Sequence, residues 1–176
     1  MNELTIREET PADTDAITHV TEEAFRDSGV PGERTEQYIV PALREACALT
    51  LSLVAERSGD IIGHVAFSPA PISDGAAGWY TLGPVSVLPA HQRQGVGSAL
   101  IREGLDRLRR LGAQGCVLVG HPDYYPRFGF VHPVGLTYEG VPPEVFFALS
   151  FDGHWPTGVV TDHPAFQEGE THRSPK

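Results

Sequence analysis

The stretch Leu82-Gly83-Pro84-Val85-Ser86-Val87-Leu88-Pro89-Ala90-His91-Gln92-Arg93-Gln94-Gly95-Val96-Gly97-Ser98-Ala99-Leu100 decides the fold. Trp79 to Leu88 reads as a β-strand, a turn follows, and a helix begins at about Gly95. Pro84 lies inside the strand and removes one ladder donor, which marks a bulge or an unpaired edge. A sheet that splays there leaves the backbone groups of Val85 and Val87 available to a ligand. Gly95 and Gly97 remove Cβ atoms at the helix mouth, so backbone N–H groups can approach an anion closely. Unpaired N–H groups and the helix dipole then favour a phosphate.

Outward from this stretch the chain alternates strands and helices. Leu4 to Arg7 reads as a first strand. Thr10-Pro11-Ala12-Asp13 starts a helix, with Thr10 as cap and Ile17, Val20, Ala24 and Phe25 on its apolar face. Residues 26–36 form a polar loop. A second helix covers about Glu33 to Ala46, and Pro41 is expected to kink or split it. Leu49 to Arg57 and Asp60 to Pro69 form a hairpin through Ser58-Gly59. A Gly/Ala/Pro-rich loop covers 70–78. Residues 95–111 form the clearest helix, with Val96, Leu100, Ile101, Leu105, Leu108 and Leu111 as its stripe and Gly112 as its stop. Cys116 to Val119 is an apolar strand, Tyr124 to Phe128 a short helix, and Leu136 to Tyr138 and Val145 to Phe151 are final strands. The hairpin argues for antiparallel pairing, and the strand–helix–strand unit at 79–119 for one parallel pair. The expected architecture is α/β: a mixed, mostly antiparallel central sheet with helices on both faces. Residues 1–166 form one domain and 167–176 a flexible tail.

Composition narrows the function classes. The chain has 176 residues, of which 40% are hydrophobic, enough for one core without staples. No apolar run approaches the ~20 residues of a membrane span. Met1-Asn2-Glu3-Leu4 has no basic or apolar leader pattern, so a cytoplasmic location is expected. The net charge is −10, with 23 acids against 13 bases. Such a surface repels phosphate backbones and argues against nucleic acid as a partner. Cys47 and Cys116 sit in apolar settings and read as buried free thiols. The 8 histidines contain no His-x-x-x-His pair and neither cysteine is beside one, so no metal site is expected.

Three phosphate-binding patterns compete for the glycine turn. A Walker loop needs an internal Gly-Lys pair, and the sole lysine is Lys176. A dinucleotide fingerprint needs a third glycine where Leu100 stands. Gln-x-x-Gly-x-Gly is met by Gln92, Gly95 and Gly97, and it resembles the acyl-CoA pyrophosphate turn of the GNAT family of N-acetyltransferases. In that family a Val-x-Val-x-Pro strand precedes the turn, and Val85-Ser86-Val87-Leu88-Pro89 matches it. A Tyr-x-x-x-Gly-Phe motif follows, and Tyr125-Pro126-Arg127-Phe128-Gly129-Phe130 matches it. Phe67-Ser68-Pro69, Leu82-Gly83-Pro84, Tyr124 to Phe130 and Val141-Pro142-Pro143-Glu144 also look like the family's YhbS-like branch. The resemblance spans about residues 4–166.

The resemblance implies an N-acyltransferase that moves acetyl from acetyl-CoA to a primary amine by direct attack in a ternary complex. It needs no metal, and dimers are frequent in that family. A CoA-binding sensor without turnover, from a different class, fits the same motifs. Pantetheine carries two amides and could add to the strand at Val85, Ser86 and Val87. Its pyrophosphate would reach the N–H groups of Gln92, Arg93, Gln94, Gly95, Val96, Gly97 and Ser98. Tyr125 is the expected catalytic residue, because a phenol can hydrogen-bond or protonate a departing thiolate. The Val87 N–H is the expected oxyanion donor. Candidate bases are His121, Glu22, Glu23 and His64, with water as the alternative. The loop at 26–36, the end of the first helix and the Pro-rich loop after Phe67 are expected to border the acceptor, where Glu22, Glu23, Glu33 and Glu36 suit a cationic amine.

Overall fold

A computed structural model describes residues 3–26 and 36–167. The expected polar loop at 26–36 and the tail from 167 therefore fall almost wholly outside the described residues. The strands are β1 (Leu4–Glu8), β2 (Leu51–Arg57), β3 (Asp60–Pro69), β4 (Trp79–Val87), β5 (Gly115–Val119), β6 (Leu136–Tyr138), β7 (Phe146–Ser150) and β8 (Gly158–Val160). The helices are α1 (Thr14–Phe25), α2 (Glu36–Glu45) and α3 (Val96–Arg110). A six-stranded sheet runs β1-β2-β3-β4-β5-β7, and β6 and β8 form a separate parallel pair. Every neighbour in the large sheet is antiparallel except β4 and β5. The mixed, mostly antiparallel sheet expected from the sequence is the one observed, with β8 as a strand that the pattern did not reveal.

Local chemistry accounts for the element ends. Ser58 and Gly59 both have positive φ, at 54° and 83°, which is the twist a two-residue hairpin needs. The carboxylate of Asp13 accepts hydrogen bonds from the Thr10 amide and hydroxyl at the entry to α1. Arg7 donates to it from β1 at 2.8 Å, which holds the carboxyl well below the usual carboxylate range. α2 runs through Pro41 as one helix, so of the expected kink or split the split does not occur. Pro41 is on the solvent side while Ile39, Val40 and Leu43 are buried, so packing holds the helix across one missing hydrogen bond. Cys47 is exposed rather than buried, because it occupies a left-handed turn position after α2, with φ 54°.

Two layers of helix cover the sheet. α3 places Leu100, Ile101, Leu105 and Leu108 against Leu53, Val65 and Phe67. Gly104 lets it come close, since a Cβ there would lie 2.4 Å from the Phe67 ring. On the other face Ile17 of α1 and Val40 of α2 pack on Val54 and Ala66.

One irregularity positions the site. Val65 faces Val85 and Phe67 faces Leu82, so Gly83 and Pro84 bulge opposite Ala66 alone. β4 pairs with β5 only from Trp79 to Thr81. Beyond Thr81 the two strands part, while β5 stays paired with β7 as far as Val119. The sheet opens where Pro84 predicts it.

Candidate active site

Two cavities flank the opening. A groove of about 610 Å³ is lined by Val85, Val87, His91 to Arg93, Gly95 to Ser98, Tyr124, Tyr125, Arg127 and the end of α1. A second cavity, about 360 Å³, lies between the parted strands. Phe25, Val85 and Tyr125 line both.

The groove is built largely from backbone. Leu88 donates its N–H to Ile62, so strand alternation turns the amides of Val87 and Val85 the other way, toward the opening. Gln92 donates from Nε2 to the Val87 carbonyl at 3.0 Å and clasps the turn to the strand end. Arg93 and Gly95 have left-handed φ values of 61° and 83°. The first intrahelical bond runs from the Ala99 N–H to Gly95, which leaves the amides of Val96, Gly97 and Ser98 without helix acceptors. A Cβ on Gly97 would meet Tyr124 Oη at 3.4 Å and Val87 Cγ2 at 3.7 Å, which are ordinary contacts. The protein's own packing therefore does not demand glycine at 97. The helix mouth is a ready cradle for an anion of pyrophosphate type.

Two adjacent tyrosines differ in their surroundings. The Tyr124 hydroxyl bonds Ser98 Oγ at 3.1 Å, and the Arg127 guanidinium lies 4.4 Å from its ring centroid. Tyr125 packs against Tyr124, Phe128, Phe130 and Phe147. Among the described residues its hydroxyl has no hydrogen-bond partner. Burial pushes its pKa up to about 12, so the phenol keeps its proton at neutral pH. Gly120 makes room for it, since a Cβ there would lie 2.2 Å from the ring.

Other expected residues lie elsewhere. Ser86 points to the α1 face, 1% exposed, with its hydroxyl 3.5 Å from Thr21 Oγ1. Gln94 accepts from Arg57 and donates to the Ala90 carbonyl, outside the groove lining. None of the four candidate bases lines either cavity. His121 is solvent-exposed beside Asp123, and Glu23 pairs with Arg26. His64 is fully buried on the α1 and α2 side, bonded to Ser52 at 2.7 Å. Its burial, with a smaller contribution from Arg44, lowers its pKa to about 3. The Pro-rich loop after Phe67 does not border the second cavity. It is tied to β8 through Ser73 N–H to Val159 O and the Ile72–Val160 bridge. Phe25 and Glu36 do line that cavity, and Glu33 lies outside the described residues. Tyr138, Phe146, Asp162 and Phe166 complete its wall, and no local motif marked them.

The model of the acetyltransferase (GNAT) family matches residues 15–130. The chain belongs to this family. This GNAT chain is 36% identical over 128 residues to the "Uncharacterized N-acetyltransferase YhbS" of Escherichia coli K12, covering 72% of the chain and 73% of that protein. Among solved structures it is similar to a GNAT acetyltransferase from Brucella melitensis in complex with acetyl-CoA. That pair has 49% identity and a TM-score of 0.83, over 94% of this chain and 99% of the other. Escherichia coli YhbS in complex with CoA is 31% identical with a TM-score of 0.82, over 95% and 93%. No group of metal-ligating side chains occurs among the described residues of the GNAT chain, and no described helix is long and apolar enough to cross a membrane.

Proposed function

We propose that the chain transfers acetyl from acetyl-CoA to a primary amine by direct attack. The observation that carries this reading is the Tyr125 hydroxyl, without a hydrogen-bond partner among the described residues, at the junction of the two cavities beside the outward-facing strand edge of Val85 and Val87. The groove takes the cofactor: pantetheine amides along Val85 and Val87, and pyrophosphate on the amides of Gly95 to Ser98 with Arg93 nearby. The amine enters from the cavity between the parted strands.

The amine nitrogen attacks the thioester carbonyl carbon, and the carbonyl π electrons move onto oxygen. The Val87 N–H stabilises that oxyanion. Collapse re-forms the carbonyl and breaks the C–S bond. The thiolate takes the Tyr125 proton, and the new amide nitrogen loses its extra proton to water, the remaining candidate once the four side chains are set aside. The phenol recovers its proton from solvent. A phenol held near 12 is protonated at neutral pH and so is available as a hydrogen-bond donor to the departing thiolate, whose charge it stabilises as the proton is shared.

The test is thiol release from acetyl-CoA with a panel of primary amines, with mass spectrometry of the product. Amine-dependent release and an acetylated amine are expected. Acetyl-CoA binding without release for any acceptor would establish the sensor reading instead.

A further inference from the structure

The cavity between the parted strands is apolar over most of its wall, with Ile39, Val117, Val119, Phe146 and Phe166 among its lining. Among the described residues the charged side chains that line it are Glu36 and Asp162, both carboxylates, and no described lysine, arginine or histidine lines it. Asp162 follows β8 and is half-buried. One carboxylate oxygen accepts the Thr81 hydroxyl at 2.7 Å, and the other accepts the Tyr138 hydroxyl. Two hydroxyl donors orient the group without neutralising it. Among the described residues no cation pairs with Asp162, and each oxygen keeps a lone pair for a further donor. A carboxylate oriented this way in an apolar wall is suited to a bound cation.

Its distance from the reacting centre matters as much as its charge. Asp162 is anchored at Thr81, the last β4 residue paired with β5, whereas this cavity meets the cofactor groove, where acetyl is transferred, at Val85 and Tyr125. Along the straight partner strand this interval runs from Ser68 to Val65, about 10 Å at ~3.3 Å per residue. A single ammonium cannot occupy both ends.

We propose that the acceptor is an extended amine bearing a second positive charge, and that Asp162 selects it by holding the distal cation while the near amine reaches Tyr125. The apolar walls take the hydrocarbon between the two nitrogens. The idea rests on the acetyltransfer reading, and it makes Asp162 a specificity residue rather than a catalytic one.

The test compares kcat/KM for straight-chain monoamines and for α,ω-diamines of increasing length, using the full chain and its Asp162→Asn variant. Asparagine keeps the size and removes the charge; its oxygen still accepts one hydroxyl, and its NH2 donates to the other, which turns round to accept. The expected result is a diamine preference of about tenfold or more, peaking at intermediate length. In Asp162→Asn the KM for diamines should rise about tenfold with kcat little changed, and monoamine kinetics should stay near wild type. Thermal unfolding and acetyl-CoA affinity, measured in parallel, should match wild type. If Asp162→Asn unfolds, Asp162→Glu, which keeps the charge, must retain the preference. Equal kcat/KM for monoamines and diamines, or a preference unchanged in Asp162→Asn, overturns the proposal and leaves acetyl transfer standing. Failure of every amine to release thiol overturns both.

Discussion

The two cavities that meet at Tyr125 are built in opposite ways. The larger groove draws most of its lining from residues 85–98, joined by Tyr124, Tyr125 and Arg127. Its chemistry is that of backbone: a strand edge turned outward and a helix mouth with unpaired amides. The smaller cavity collects its lining from α1, α2, β4, β5, β6, β7 and the segment after β8. Its chemistry is that of side chains, chiefly aromatic rings and two carboxylates. A backbone site can be specified by a short run in which glycine and proline set the path. A side-chain site needs the whole fold before its members meet.

The largest effect is expected where the two regions touch. Tyr125→Phe removes one hydroxyl and leaves the ring packing, so the chemical step should slow by roughly 10²-fold while stability changes by no more than about 1 kcal/mol. Single-turnover transfer and unfolding on the same preparation check this. A wild-type rate would remove Tyr125 from the mechanism and leave the junction merely structural. Gly120→Ala attacks the same point indirectly, because its Cβ must push the Tyr125 ring. A loss of about 1–3 kcal/mol is expected, with a rate reduction smaller than that of Tyr125→Phe.

The groove alone is addressed by Gly97→Val. A branched side chain at the helix mouth should weaken acetyl-CoA binding by about tenfold in a protein that still folds, as read by calorimetry. Unchanged affinity would move the pyrophosphate elsewhere and end the contrast between the regions. Asp162→Asn is its counterpart in the other cavity, where acetyl-CoA affinity should not move.

The smallest effect on function is expected from His64, beneath the sheet and outside both cavities. Its pKa in the folded protein lies near 3 against an unfolded value of 6.5. Between these values the unfolded chain binds more protons, so stability should fall as pH drops below about 6.5 and go on falling toward 3. His64→Gln should flatten this slope in pH-dependent unfolding while leaving transfer at neutral pH little changed.

How much of this was legible depended on sequence distance. Val85, Val87, Gly95, Gly97 and Tyr125 fall in ordered motifs along the strand–turn–helix–strand unit and the segment just after it, and each matters through local backbone path or a neighbouring ring. Ser86 was grouped with them because it lies between two groove residues, yet strand alternation sends it to the other face. His64 read as a candidate base because sequence does not state which face of β3 it occupies. The family resemblance implies the loop at 70–78 as an acceptor wall, and its tie to β8 has no local strand pattern to announce it. Asp162 had no signal at all, since a lone aspartate in a loop acquires meaning only beside Thr81 and Tyr138.

The sequence by itself determined the antiparallel hairpin, the parallel strand–helix–strand unit, the bulge at Pro84 and the glycine mouth of α3. These follow from what proline cannot donate and from what glycine allows the backbone to do. Tertiary structure alone decided what faces the opening. Parting β4 from β5 creates space, and the residues that fill its rim arrive from α1, α2 and the segment after β8. Their convergence is set by packing across the sheet, and no short-range rule of chain conformation encodes it.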